Sequence, residues 1–329
     1  MTSKSDFRIV YLGSPQFAVP PLQELLQQGY DIPLVITQPD RPKGRNRRLM
    51  PTDVRVAAEE MGLRVLAVEN VNKPEVIAEI EAVRPDVLVV TAFGQLLGDK
   101  LLGIAPNGAI NIHASLLPEY RGASPIHQAL IDGRDVTGVS IMMVEKRLDA
   151  GAVLAKAECE IRPEDNTGAL RERLAEIGAA LLPQVLEDMQ QGRLQPQIQD
   201  EAAATYAGKI TADREVLDWS QGAVALHNLV RGLTPDTSAY TCFYDGDEVR
   251  RLKVWKTLPA EADSDAAEIA PGTVCRADKR GLWVKTGDGL LGLMIVQPPG
   301  KGQMDAAAWW RGRRDLQVSG LRFLAVDER

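Results

Sequence analysis

Cysteine and histidine are scarce in this chain, with three of each among 329 residues. Cys159, Cys242 and Cys275 stand far apart, form no metal-binding spacing and leave an odd count. That excludes a disulfide framework and a zinc site, supports no catalytic cysteine, and marks the thiols as reduced. No apolar run approaches the ~18 residues of a membrane helix. Met1-Thr2-Ser3-Lys4-Ser5-Asp6 leads straight into a strand without the apolar centre of a secretory signal. A cytoplasmic protein with no membrane partner is the expectation. Also missing is a Gly-x-Gly-x-x-Gly turn. The first strand-to-helix turn reads Gly13-Ser14-Pro15-Gln16-Phe17, and Pro15 removes a backbone donor, which argues against a dinucleotide cofactor. No internal repeat is present.

What is there is ordinary for a folded chain: 45% hydrophobic and 25% charged residues. The length favours two domains, each large enough to bury a core. The net charge of −7 argues against indiscriminate nucleic-acid binding, but a selective RNA enzyme depends on local field, not on total charge. The charge is uneven. Residues 208–329 hold 17 basic and 17 acidic side chains, so the remaining 21 basic and 28 acidic carry the whole excess.

Apolar strands alternate with helical patterns through the first part, the mark of a Rossmann-like α/β domain with a mostly parallel sheet. The pattern predicts strands over 8–12, 32–37, 64–67, 87–91, 109–113, 138–144 and 153–161. It predicts helices over 19–28, 53–61, 74–83 and 125–132, and a long one from 166–168 to about 190 capped by Asn166 or Thr167. Residues 190–207, rich in Gln and Ala and carrying Gly192 and Pro196, read as a linker between a domain over 1–189 and a second over 208–329. The second opens with a helix around 220–231. Short strands follow near 239–244, 249–257, 272–277, 281–286 and 290–297, with turns at Asp245-Gly246 and Gly287-Asp288-Gly289. That is a small barrel or a sandwich.

The densest chemistry lies at Asn111-Ile112-His113 and the loop Ala114-Ser115-Leu116-Leu117-Pro118-Glu119-Tyr120-Arg121-Gly122-Ala123-Ser124-Pro125-Ile126. Strand alternation puts Asn111 and His113 on one face. One offers an amide donor, the other an imidazole that titrates near neutrality. A loop stiffened by Pro118 and Pro125 and freed at Gly122 leaves the strand where α/β enzymes place their chemistry. After a further strand, Arg147-Leu148-Asp149-Ala150-Gly151 supplies an acid. Alone it would simply turn the chain; beside a catalytic His it is an orienting partner.

These motifs resemble the 10-formyltetrahydrofolate-dependent formyltransferases: Asn-x-His, then Ser-Leu-Leu-Pro-x-Tyr-Arg-Gly-Ala-Ser-Pro-Ile, then Leu-Asp-Ala-Gly. Further matches are Gly13-Ser14-Pro15-Gln16-Phe17-Ala18, Thr37-Gln38-Pro39-Asp40-Arg41-Pro42-Lys43-Gly44-Arg45 and Tyr206-Ala207-Gly208-Lys209-Ile210. Within that superfamily the basic loop and the C-terminal extension resemble the branch that formylates methionyl-tRNA. The turn Thr234-Pro235-Asp236-Thr237-Ser238 departs from that branch's Asn-Pro-Trp-Pro-like pattern. The resemblance implies Asn111, His113 and Asp149 as catalytic residues. It implies a formyl-folate co-substrate held by Phe93, Gly94, Gln95, Leu96 and Leu97 with Ser115, Leu116, Leu117 and Pro118, no metal, and an oligonucleotide-binding-like C-terminal barrel. The implied partner is initiator methionyl-tRNA, with the enzyme acting as a monomer.

Two basic segments are candidates for the RNA. Asp40-Arg41-Pro42-Lys43-Gly44-Arg45-Asn46-Arg47-Arg48 carries five cations and one acid, and Arg45 stands out by resemblance. In Val249-Arg250-Arg251-Leu252-Lys253-Val254-Trp255-Lys256, alternation places Arg251, Lys253 and Trp255 on one face, either a phosphate-and-stacking surface or the charged edge of a sheet. Lys209 joins them by resemblance. Trp309-Trp310 with Arg311, Arg313 and Arg314 reads as helix packing with a basic rim. His127 and His227 read as structural or solvent-facing residues without partners. Transfer to another amine such as a nucleotide-sugar, hydrolysis of the formyl-folate, and a non-catalytic RNA-binding role are the alternatives.

Overall fold

The computed structural model describes residues 4–43, 48–262 and 268–326. The chain forms two compact units. The first comprises the described residues of Met1–Pro125, Val136–Glu160 and Arg171–Ala207; the second comprises Ile126–Asp135, Ile161–Leu170 and those of Gly208–Arg329.

The first unit is built on a seven-stranded sheet. Its strands are β1 (Arg8–Gly13), β2 (Asp31–Thr37), β5 (Val65–Ala67), β6 (Val87–Thr91), β7 (Ala109–His113), β8 (Val136–Met143) and β9 (Val153–Glu160), in the order β5-β2-β1-β6-β7-β8-β9. β5, β2, β1, β6 and β7 are parallel, while β8 and β9 turn antiparallel at one edge. All five residues of β6 are buried, as expected of a parallel strand covered on both faces. One face packs Val10, Leu12, Leu34, Ile36, Leu88 and Val90 against Val76 and Ile80 of α3 (Pro74–Ala82) and Leu101 of α4 (Asp99–Leu102). On the other face runs the long helix α6 (Thr167–Gln190), so close that a Cβ on Gly178 would sit 2.9 Å from Cγ2 of Ile112. Local chemistry sets the helix starts. The Thr52 hydroxyl accepts from the Arg55 N–H at the head of α2 (Asp53–Glu60), and the Asn166 side chain accepts from the Ala169 N–H ahead of α6. α1 (Val19–Gln27) and α5 (Pro125–Ile131) complete the helices up to α6.

Two expectations need correcting. The basic segment after β2 is not all loop: β3 (Arg41–Lys43) and β4 (Arg48–Met50) pair antiparallel. And residues 190–207 do not hang between the units as a linker. Gln197 exchanges backbone hydrogen bonds with Val153, and Gln199 is 7% exposed.

The second unit is an antiparallel sheet of β10 (Ala239–Asp245), β11 (Glu248–Ala260), β14 (Leu290–Gln297), β13 (Leu282–Lys285) and β12 (Val274–Ala277) in that order, with β15 (Met304–Asp305) on β14. Its two edge strands are joined by residues 321–324. The Val274 N–H donates to the Leu321 carbonyl, the Phe323 N–H to Gly272, and the Leu324 N–H to Cys242. The sheet thereby curls into the expected small barrel. Trp219, Phe243, Phe323 and Trp309 of α8 (Ala306–Arg311) fill it beside Leu226 and Val230 of α7 (Ala223–Leu233), with Trp219 and Phe323 stacked at 5.5 Å. α9 (Arg314–Ser319) follows. Among the described residues, no helix is long and apolar enough to cross a membrane.

Candidate active site

Parallel strands diverge on either side of β1, and the loops at their C-terminal ends form the crevice where open α/β sheets place ligands. β7 ends there. Its register sets Asn111 beside Val90 and opposite Met142, and His113 opposite Ser140. Ile110 and Ile112 are buried toward α6, so Asn111 and His113 project from the other face together, as alternation requires. The Asn111 amide is partly exposed and, among the described residues, makes no side-chain hydrogen bond. It is free to donate to a ligand.

His113 is 6% exposed and lies between two partners. Its Nε2 is 2.9 Å from the Tyr120 carbonyl, an obligate acceptor, so the proton of the neutral ring resides on Nε2. Nδ1 is then the bare nitrogen of the neutral ring. It faces Oδ2 of Asp149 at 3.7 Å. The same Oδ2 accepts the Gly122 N–H at 2.8 Å. Asn111, His113 and Asp149 are thus assembled within one unit from strand β7 and the turn before β9.

The loop after β7 is shaped by unusual backbone. Tyr120 has φ 58° and Asp149 φ 48°, each in the left-handed region that costs a non-glycine residue of order 1 kcal/mol. Gly122, at φ 118°, approaches the Ala207 carbonyl to within 2.6 Å of where a Cβ would stand. Residues 205–207 hold this loop by its backbone. Thr205 Oγ1 accepts the Tyr120 N–H, the Thr205 carbonyl accepts the Arg121 N–H, and the Ala207 carbonyl accepts the Ser124 N–H. Arg121 is 1% exposed. Its guanidinium donates to Oε1 of Gln199 and to Glu201. Hydrogen bonding from Arg121, with help from Arg147, holds the Glu201 carboxyl below the usual range. Gln199 in turn donates to the Asp149 carbonyl at 2.8 Å and to Gly151 at 2.7 Å. Sequence reasoning missed Gln199 entirely. Nothing in a Gln- and Ala-rich stretch marks one glutamine, although Arg121 stood inside the recognised motif.

The expected folate loop leaves β6 beside the end of β7. Several of its groups are already engaged. The Phe93 carbonyl accepts from Gln38, the Gln95 amide bridges the Val71 N–H and the Val68 carbonyl, and Leu97 is buried. Leu96 is 75% exposed, and Gly94 has φ 79°. In the other segment, Ser115 and Leu117 are fully buried, with the Ser140 hydroxyl linking the Ser115 carbonyl to the Leu117 N–H. Leu116 and Pro118 are partly exposed. The side chains free to meet a ligand are therefore Leu96, Leu116 and Pro118, while Phe93, Gln95, Ser115 and Leu117 shape the loops.

Of the basic candidates, Arg41 pairs with Glu69 at 3.0 Å on the surface, and Asp40 is engaged by Arg55. Arg48 is exposed. Arg45 and Arg47 lie outside the described residues, as does the side chain of Lys43. In the second unit Lys209, Arg251 and Lys253 are exposed, and the Arg251 guanidinium lies 4.5 Å from the Tyr240 ring centre. Leu252 and Val254 are buried between them, so Arg251, Lys253 and the partly exposed Trp255 share the outer face as expected. The two remaining histidines do have partners, contrary to expectation. His127 Nε2 meets Asp236 at 3.0 Å, and His227 Nδ1 meets the Thr257 hydroxyl at 2.9 Å. Asp236 belongs to the divergent turn, whose partner no local pattern could supply. Among the described residues, no group of His, Cys, Asp or Glu is arranged to hold a metal ion.

Comparison with known proteins follows the same division. Residues 7–186 match the formyl transferase family and residues 209–314 its C-terminal domain. A methionyl-tRNA formyltransferase of Bacillus licheniformis is 44% identical over 306 residues, 93% of this chain and 95% of that protein. One from Bacillus pumilus is 45% identical over 309 residues, 93% and 94% of the two chains. In fold, the chain is similar to HypX from Aquifex aeolicus in complex with tetrahydrofolic acid, with a TM-score of 0.62 at 15% identity. That match covers 93% of this chain and 47% of HypX, so the chain spans about half of it. With family matches along most of its length and relatives this similar, the chain belongs to the formyl transferase family.

Proposed function

We propose that this chain transfers the formyl group of 10-formyltetrahydrofolate to the α-amino group of methionyl-initiator tRNA. The observation that carries the reaction is the pairing of an unengaged Asn111 amide with a His113–Asp149 couple on one strand end. The acceptor is supported by relatives named methionyl-tRNA formyltransferases that align along 93% of the chain.

The neutral amine attacks the formyl carbon, a C–N bond forms, and the carbonyl pair moves onto the formyl oxygen. Asn111 donates to that oxygen, and protonated His113 supplies its Nδ1–H. Nε2–H stays on the Tyr120 carbonyl throughout, so the ring need not rotate. Asp149 faces the ring at Nδ1 and takes up the proton that the amine loses. Collapse breaks the bond from the formyl carbon to the folate nitrogen, which leaves carrying the proton that Asp149 took from the amine. One oxyanion donor of this kind contributes roughly 10²–10³-fold in rate. The folate lies against the loops 93–97 and 115–118. Residues 208–329, together with the basic segment of Arg41, Lys43, Arg45, Arg47 and Arg48 and with Lys209, Arg251 and Lys253, serve the tRNA. A tRNA acceptor places the reaction in the cytoplasm.

Incubation with the formyl donor and charged initiator tRNA tests this directly. Formylmethionyl-tRNA is the expected product. Turnover with a nucleotide-sugar amine or with water, and none with methionyl-tRNA, would overturn the acceptor while keeping the catalytic residues.

A further inference from the structure

We infer that Gln199, held by buried Arg121, is a positioning residue for formyl transfer: it fixes the turn that aims Asp149 at His113. The inference rests on the formyl-transfer reading above. Asp149 occupies a left-handed backbone conformation, and its side chain stands beyond hydrogen-bond distance of Nδ1, at 3.7 Å. A small rotation of the turn would lose the pairing. The turn is clamped from behind. One amide group, Nε2 of Gln199, donates to the carbonyls of Asp149 and Gly151 at 2.8 and 2.7 Å. That uses both hydrogens of the amide.

The other end of the same amide faces Arg121. Oε1 accepts from Nε at 3.1 Å and from Nη2 at 2.9 Å, which fixes which way round the amide lies. Arg121 is the residue between Tyr120, whose carbonyl holds His113, and Gly122, whose N–H holds Asp149. Gln199 therefore ties both sides of the His–Asp couple to one buried side chain. Arg121 is balanced by Glu201, itself shared with Arg147, so the cation is not buried unpaired. None of these groups reaches the reacting atoms.

Gln199→Glu is the informative variant. A carboxylate at this position still accepts from Arg121 but can donate to neither carbonyl. If Gln199 serves only to accept from Arg121, the variant keeps that contact and kcat is unchanged. If it positions the turn, kcat falls about 10–100-fold, the scale on which groups orienting an active residue act, while KM for the formyl donor stays within about threefold. Gln199→Ala should lose at least as much. The second readout needs no substrate. In 15N-histidine-labelled protein the three rings give few signals, and His113→Asn assigns one set. The His113 ring signals should shift in Gln199→Glu, and those of His127 and His227 should not. Unchanged kcat and unchanged His113 signals in a folded Gln199→Glu protein would overturn the inference. If that variant does not fold, Arg121→Lys, which loses the two-pronged hold on Oε1, must shift the same His113 signals; unshifted signals there would also overturn it. A shift of the His113 signals in a protein whose wild type does not formylate methionyl-tRNA would support the inference and sink only the substrate reading.

Discussion

The Gly122 N–H donates to Oδ2 of Asp149 at 2.8 Å, so the loop that leaves the histidine's own strand also secures the acid facing that histidine. The two catalytic candidates are therefore not independent supports.

Their substitutions should be strongly non-additive. His113→Ala and Asp149→Ala are each expected to lower kcat by about 10²-fold or more, with the double variant little worse than the poorer single one. Strictly multiplicative losses in single-turnover rates would show that Asp149 acts without His113. Asn111→Ala should lower kcat by a similar factor and leave folate-analogue affinity nearly unchanged, since its partner is charge that develops only in the transition state.

Replacing Arg45, Arg47 and Arg48 together by Ala should raise KM for the tRNA and flatten the dependence of tRNA binding on salt. Every phosphate that these cations no longer neutralise takes roughly one unit off the logarithmic slope. Binding of the formyl donor should not change. An unaltered salt slope would reduce this segment to a solvated surface. Arg41 is left out of the set because Glu69 already engages it.

His227 gives the second unit a predictable acid sensitivity. Burial, aided by Arg231, pushes its imidazole down to about 4. A base whose folded value is depressed binds its proton more readily when unfolded. Stability is therefore complete above about pH 6.5, falls between 6.5 and 4, and is constant below that. The ring is only partly buried, so the loss is about 2 kcal/mol at most. The difference in unfolding free energy between wild type and His227→Gln should narrow or reverse across that interval. A parallel pair of curves would show that His227 titrates alike in both states.

Phe323→Ala should destabilise the barrel by about 3–5 kcal/mol, the usual cost of removing a fully buried phenyl ring. Chemical denaturation followed by tryptophan fluorescence reads this, because all five tryptophans lie in residues 208–329 and Trp219 stacks on Phe323. A loss below about 1 kcal/mol would mean that the Phe323 ring is not needed to fill the barrel.

Regular elements were legible wherever one period ruled. β6, β7 and β14 lie where the apolar runs place them, and α6 begins at its Asn166 cap. The face shared by Asn111 and His113 was legible for the same reason. The β3–β4 pairing was not. Two three-residue strands separated by Gly44 and its basic neighbours have no apolar face to announce them. The Arg121–Gln199 and His127–Asp236 contacts join residues 78 and 109 positions apart, and no local preference encodes such pairs. Most costly was the boundary. A cut near Gln191, natural by composition, would remove Gln199, Thr205 and Ala207 and with them the clamp on the loop that holds His113 and Asp149.

Closure of the barrel by residues 321–324 has a consequence for its breathing. A sheet with two open edges can fray strand by strand, and its edge amides exchange with solvent one at a time. Here the amides of Val274, Phe323 and Leu324 lie on a seam that joins both edges. Detaching that seam uncovers β10 and β12 together. Deuterium exchange at these three positions should report one common opening free energy, that of a single event shared across residues far apart in the chain.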